Sequence, residues 1–158
     1  MGQEIERKYL VKGDSWREGA QGTLYRQGYL AKDAERTVRV RVAGEKAFLT
    51  IKGRTRGVSR AEYEYAIPME DAEELLALCD GPLVEKTRHE IVHAGLTWEV
   101  DEFHGDNDGL VMAEVELERE DIAIDLPAWA GAEVSHDPRY YNSSLSKRPY
   151  KFWVKAEK

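Results

Sequence analysis

Acidic and basic side chains recur at every second position in several short segments of this sequence. Glu4 and Glu6 precede Lys8, and Arg39 is followed two residues later by Arg41. Because successive side chains of an extended strand point to opposite faces, the members of each set would share one face. Carboxylate pairs bind divalent metal ions, and arginine or lysine pairs bind phosphate oxygens. The alternating positions hold the acids Glu4, Glu6, Glu62, Glu64, Glu99, Asp101, Glu114 and Glu116 and the bases Lys8, Arg39, Arg41, Lys52, Lys86 and Arg88.

The segments that carry these residues are predicted to be strands, because charged or polar residues alternate there with apolar ones. The predicted strands cover residues 4–11, 23–32, 36–42, 47–52, 59–67, 83–93, 96–103 and 110–118. Gly28 is expected to allow a close backbone approach or a bulge. Residues 70–80 change to helical spacing, and Gly81 is expected to end this helix. From residue 119 the alternation is lost, so we expect loops with one or two short helices, including one over 139–147.

Eight strands, nearly all antiparallel by the length of their connections, are enough to close a barrel. If the charges faced solvent, apolar residues such as Val38, Val40 and Val42 would fill that barrel. Adjacent like charges repel on a surface, whereas inside a barrel they can bind a metal ion and phosphate. We therefore expect a single domain over residues 1–158 with a mostly β (α+β) fold. It would be a closed eight-stranded antiparallel barrel, a tunnel with a charged interior and helices packed outside.

Composition excludes several classes of function. The net charge of −7 and the pI near 5.2 argue against a nucleic-acid partner, which usually meets a basic surface. No apolar run approaches the roughly 20 residues of a membrane span, so no membrane partner is expected. The lone Cys79 forms no internal disulfide and is interpreted as a buried thiol in a reducing compartment. These observations together predict a cytoplasmic protein.

The ordered set of charged residues resembles a known family. Residues Glu4 to Lys8 match the ExExK signature of the triphosphate tunnel metalloenzymes, also called the CYTH superfamily, and the chain looks like its short bacterial inorganic triphosphatases. A single ExExK motif is weakly specific, whereas an ordered set on successive strands is specific. The resemblance continues through Gln27 to Leu30, Arg39, Arg41, Lys52, Glu62, Glu64, Lys86, Arg88, Asp101, Glu114, Glu116 and the segment from Asp137 to Lys147.

The resemblance implies a tunnel that binds a triphosphate with Mg²⁺ or Mn²⁺ and hydrolyses inorganic triphosphate to diphosphate and phosphate. It implies metal ligands at Glu4, Glu6, Glu114 and Glu116, with Glu62, Glu64 and Asp101 completing metal or water positions. It implies phosphate contacts from Arg39, Arg41, Lys52, Lys86 and Arg88. Lys8 would act catalytically with Tyr29 if basic neighbours lower the lysine pKa, although the acids beside Lys8 act in the opposite direction.

Several alternatives stay open at this point. Relatives with the same tunnel cleave thiamine triphosphate or nucleoside triphosphates, or cyclise ATP, and the fold does not choose among these substrates. A noncatalytic polyphosphate-binding module is the alternative from another functional class, although the retained acid pairs count against it. A monomer and a homodimer are both compatible with the sequence, because an apolar outer face could be covered by a second chain.

Overall fold

The computed structural model describes residues 3–18, 21–33 and 35–153. The strands in this part of the chain are β1 (Gln3–Val11), β2 (Gln21–Lys32), β3 (Arg36–Ala43), β4 (Lys46–Gly53), β5 (Ser59–Ala66), β6 (Asp80–His93), β7 (Leu96–Phe103), β8 (Val111–Glu116) and β9 (Ala130–Glu133). The α-helices are α1 (Met69–Leu78) and α2 (Asn142–Lys147). Single 3-10 turns lie at Ser15–Arg17, Gly105–Asn107, Pro138–Tyr140 and Tyr150–Phe152. The predicted domain ends, together with residues 19, 20 and 34, lie outside the described residues.

The first eight strands form a closed antiparallel barrel, which confirms the predicted fold. The hydrogen-bonded order is β5-β4-β3-β2-β6-β7-β8-β1, and β1 pairs with β5 to close the ring. Strand β9 pairs with the end of β1, where Tyr9 faces Glu133. The loop predicted for this segment is wrong. Ala130–Glu133 has no apolar alternation, and its strand conformation comes from pairing with β1.

Apolar side chains cover the outside of the barrel, as the inward placement of the charges requires. Val40 and Val42 of β3 pack beneath α1, against Ala72 and Leu76. On another part of the wall, a cluster that includes Trp98 packs beneath residues of the connecting segments. Burial of such side chains is the main contribution to stability in a fold of this type. Because Val40 and Val42 lie under a helix, the charged residues that alternate with them along β3 face the barrel interior.

One end of the interior is apolar. Leu10, Val84, Phe103 and Met112 occupy the same alternating positions as the charged residues of their strands, so they point inward. They belong to a cluster with Leu145 of α2, with Tyr140 of the 3-10 turn before it, and with Trp153, which directly follows the last 3-10 turn. Helix α1 therefore packs outside as predicted, whereas α2 lies across this end of the barrel and closes it.

Helix α1 ends earlier than the sequence predicts. It spans Met69–Leu78, and Cys79 has extended dihedral angles because the chain pairs with β2 from Asp80 onward. The close approach predicted at Gly28 is confirmed, since an added Cβ there would lie 2.9 Å from Cys79 Cβ. No helix in the described part of the chain is long and apolar enough to cross a membrane.

Candidate active site

A cavity of about 350 Å³ lies inside the barrel. Of the site residues predicted from the sequence, those that line it are Glu4, Glu6, Lys8, Tyr29, Arg39, Arg41, Lys52, Glu62, Glu64, Lys86, Arg88, Glu114 and Glu116. Asp101 is the one predicted site residue that does not line the cavity, and only 1% of its surface is exposed. The structure therefore brings the predicted set together in one compartment.

Strand register explains why these side chains meet. In the β1–β8 pair, Glu6 lies opposite Glu116 and Lys8 lies opposite Glu114. Lys52 on β4 lies opposite Glu62 on β5. Residues directly opposite each other in an antiparallel pair project from the same face of the sheet. Alternation along each strand and pairing between strands thus aim the whole set at the interior.

Three cations surround the ring of Tyr25, and we call Arg41, Lys86 and Arg88 the basic group. The Arg41 guanidinium lies 4.9 Å from the ring centroid, that of Arg88 lies 5.1 Å away and Lys86 Nζ lies 5.9 Å away. Aromatic faces attract cations through the ring quadrupole, which offsets part of the repulsion among these charges. The group forms an anion-binding surface inside the barrel.

Asp101 lies behind the basic group and accepts three hydrogen bonds from it. Arg88 donates from Nε at 2.7 Å and from Nη2 at 2.8 Å, and Lys86 Nζ donates at 2.8 Å. Burial alone would raise the pKa of Asp101, but Arg88 and then Lys86 outweigh it and hold the pKa below its ordinary value. Asp101 is therefore an ionised carboxylate that orients two of the cavity's cations.

Lys8 is enclosed by acids. Its Nζ donates a hydrogen bond to Glu6 at 2.9 Å and a short one to Glu114. Burial alone would lower the pKa of Lys8, but Glu114 and Glu6 together raise it above its ordinary value. A Lys8 pKa lowered by basic neighbours is therefore wrong for this arrangement. Tyr29 lines the same cavity. The Tyr29 hydroxyl is not among the hydrogen-bond partners described above for Lys8 Nζ.

A second region of the cavity is rich in carboxylates, and we call Glu4, Glu6, Glu62 and Glu116 the acid group. Burial raises the pKa of Glu116, and repulsion from Glu4, Glu62 and Glu6 raises it further. Lys52 Nζ donates to both oxygens of Glu4, at 2.9 and 3.1 Å, and lies 3.7 Å from Glu62. Arg60 Nε lies 3.8 Å from Glu4. The four carboxylates thus face three cations, Lys8, Lys52 and Arg60, and the raised pKa of Glu116 agrees with an excess of negative charge in this region.

The acid group has the hard oxygen donors that Mg²⁺ and Mn²⁺ prefer. Within residues 3–18, 21–33 and 35–153, no three acidic, histidine or cysteine side chains are already gathered around one metal position. Lysine ammonium groups instead hold Glu4 and Glu6. The residues fit a divalent cation by donor type and by their uncompensated negative charge, and such a cation would take over contacts that the two lysines now make.

Comparison with known proteins identifies the family. Residues 2–150 match the model of the CYTH domain. This chain belongs to the CYTH family. It is 53% identical over 152 residues to an inorganic triphosphatase of Acetivibrio thermocellus, covering 96% of this chain and 97% of the relative. It is 38% identical over 148 residues to an inorganic triphosphatase of Nitrosomonas europaea, covering 90% and 96%.

A solved structure supports the same family. The crystal structure of an inorganic triphosphatase has a TM-score of 0.65 to this chain at 36% identity, covering 92% of this chain and 95% of the other.

The CYTH cavity here also contains residues that were not predicted as site residues, including Tyr25, Arg60 and Asn142. Tyr25 shares the alternation of Tyr29 and could have been found from the sequence. Asn142 lies beyond the last alternating strand, so no periodicity pointed to it.

Proposed function

We propose that this CYTH chain hydrolyses inorganic triphosphate to diphosphate and phosphate inside its barrel, with a divalent cation as cofactor. The observation that carries the proposal is one cavity that holds both the basic group and the acid group. A linear polyanion with an associated cation complements both regions. Two relatives named inorganic triphosphatase, at 53% and 38% identity over nearly the whole chain, support the same substrate.

The acid group would hold the cation, and we propose Mg²⁺ or Mn²⁺. A bound divalent cation would supply Lewis-acid neutralisation of phosphate oxygens. The other predicted metal ligands have partners that favour a different role. Glu114 accepts from Lys8 and Arg88, Glu64 accepts from Thr50 at 2.7 Å, and Asp101 accepts from Lys86 and Arg88. We propose that Glu64, Asp101 and Glu114 hold and orient cationic or polar groups of the cavity.

The basic group, with Arg39 and Lys52, would bind the oxygens of the phosphate chain. In hydrolysis, a water oxygen attacks phosphorus, the bridging P–O bond breaks and diphosphate leaves with a proton. Little covalent chemistry is required of the protein, so positioning and charge neutralisation account for most of the rate increase. Lys8 is protonated in this arrangement, which suits hydrogen bonding to a phosphate oxygen or proton donation to the leaving group. Tyr29 is proposed to orient the attacking water.

The remaining features are proposals of the same kind. We propose that residues 1–158 form one CYTH domain in a cytoplasmic enzyme whose partner is a small triphosphate. A monomer and a homodimer both leave the cavity complete, because every residue assigned to it belongs to one chain.

Phosphate release from inorganic triphosphate, ATP and thiamine triphosphate, assayed side by side with Mg²⁺, Mn²⁺ or a chelator, tests the proposal. We expect inorganic triphosphate to be preferred and the chelator to abolish activity. Tight triphosphate binding without hydrolysis of any of the three would favour a binding module instead. Glu116→Gln replaces one carboxylate of the acid group, a proposed metal ligand, by a neutral amide of nearly the same size. A variant with the full rate and the same metal requirement would contradict the metal assignment.

A further inference from the structure

Two side-chain amides connect Arg41 to Lys86 across the closed end of the cavity. Arg41 Nε donates to Gln27 Oε1 at 2.9 Å, and Gln27 Nε2 donates to Asn142 Oδ1 at 3.0 Å. Lys86 Nζ donates to the same Asn142 oxygen at 3.0 Å. The chain of contacts therefore begins and ends at members of the basic group. Gln27 and Lys86 are both fully buried.

The two cations fix the orientation of both amides. Arginine and protonated lysine can donate but cannot accept hydrogen bonds. Gln27 must therefore present its oxygen to Arg41, which turns its NH₂ group toward Asn142. Asn142 must then present its oxygen, which receives Gln27 and Lys86 together. A rotation of either amide would bring two donors face to face in a buried site, so the arrangement allows a single orientation.

Asn142 belongs to the element that closes the barrel. It is the first residue of α2, and Leu145 of the same helix is fully buried in the apolar cluster at that end. Lys32 Nζ also donates to Ser146 of α2 at 3.0 Å. Because Leu145 anchors α2 by apolar packing, Asn142 Oδ1 is held at a defined place beside the basic group.

We infer that Gln27 and Asn142 are positioning residues for phosphate binding, and that α2 therefore contributes a functional residue, Asn142, to the site. Gln27 sets the direction of the Arg41 guanidinium, and Asn142 sets the place of the Lys86 ammonium. Asn142 supplies an acceptor that adds no negative charge beside Lys86, whose ammonium also donates to Asp101. The inference rests on the proposed function and adds residues that position its phosphate-binding cations.

Substitutions at Asn142 separate this role from a purely structural one. Asn142→Ala removes the shared acceptor, and we expect KM for triphosphate to rise about tenfold with a smaller change in kcat. Asn142→Asp keeps the shape and the acceptor, but places a carboxylate beside Lys86, so we expect a larger rise in KM. Ser144→Ala on the same helix is the matched control and should leave KM within about twofold.

A readout that needs no turnover distinguishes this inference from the proposed function. The Arg41 Nε–H resonance, followed by NMR, should exchange slowly with solvent in the wild-type chain and in Ser144→Ala, and rapidly in Asn142→Ala. If the wild-type chain hydrolyses no triphosphate but this pattern is seen, the proposed function fails and the positioning of Arg41 stands.

Two results would overturn the inference. One is unchanged Arg41 exchange and unchanged KM in Asn142→Ala. The other is a lower Tm with unchanged KM for the folded protein, which would assign Asn142 a structural role only. If Asn142→Ala does not fold, Asn142→Ser decides, because it shortens the side chain and withdraws the shared acceptor while keeping a polar group at the position. Wild-type KM in that variant would contradict the inference.

Discussion

Asp101→Asn tests how the cavity holds its cations. The carboxylate accepts two hydrogen bonds from Arg88 and one from Lys86, and it is almost completely buried. Asparagine has nearly the same shape but no charge, and its NH₂ group would face donors. The substitution therefore leaves two buried cations short of a counterion without creating a cavity.

The expected loss of stability follows from these contacts. Removing one partner of a buried ion pair costs about 3–5 kcal/mol, because the remaining charge stays in a site poorly solvated by water. Asparagine still accepts through its oxygen, so we take the lower end, about 3 kcal/mol. In a chain of 158 residues, 1 kcal/mol corresponds to about 2–4 °C in Tm, which gives a decrease of about 6–12 °C.

Thermal denaturation in a chelator measures this effect without a contribution from metal binding. Glu102→Gln is the control, because Glu102 is the next residue on β7 and pairs with the more exposed Arg17. An exposed ion pair contributes about 0–1 kcal/mol to the free energy of unfolding, so the Tm of Glu102→Gln should barely change. If Asp101 were a metal ligand, Asp101→Asn would leave Tm in the chelator unchanged and raise the Mg²⁺ concentration needed for half-maximal activity. That result would refute the role assigned to Asp101.

Three further substitutions probe the cavity and the barrel wall. Burial lowers the pKa of Lys86 to about 7, so its charge is present below that pH and lost above it. Calorimetry at about pH 6 and at about pH 8.5 would compare the triphosphate affinity of wild type with that of Lys86→Met. The two proteins should therefore differ more in affinity at the lower pH, and the same difference at both pH values would contradict this. Tyr25→Leu should weaken triphosphate binding about tenfold through lost cation–π contacts, whereas Tyr25→Phe should bind within about twofold of wild type in the same titration. Gly28→Ala should destabilise the fold by about 1–3 kcal/mol in urea denaturation, because its Cβ would lie 2.9 Å from that of Cys79. Gly53→Ala, whose Cβ would meet its nearest neighbour at 3.5 Å, should be tolerated.

Alternation in the sequence was sufficient to predict the barrel and the direction of its charged residues. Glu4, Glu6 and Lys8 point into the cavity because a strand has a period of two, and Val40 packs outside beneath α1 for the same reason. Repeated like-charge pairs favoured an interior placement over a solvated one, and the lining of the cavity agrees.

Features set by tertiary contacts were not predictable in this way. The pairing of β9 depends on β1, and the early end of α1 depends on the pairing of Asp80 with β2. The apolar end of the interior arises because Val84 and Met112 share the alternation of charged residues, yet meet Leu145 from a distant segment. Asn142 enters the site from that same segment, so no local pattern could identify it.

A ³¹P NMR time course of inorganic triphosphate with the purified chain tests the central claim most directly. With Mg²⁺ or Mn²⁺ present, we expect one phosphate and one diphosphate to form for each triphosphate consumed, and excess chelator should stop the reaction. Triphosphate that remains intact with either cation, or that is hydrolysed at the same rate in the chelator, would contradict metal-dependent hydrolysis inside this barrel.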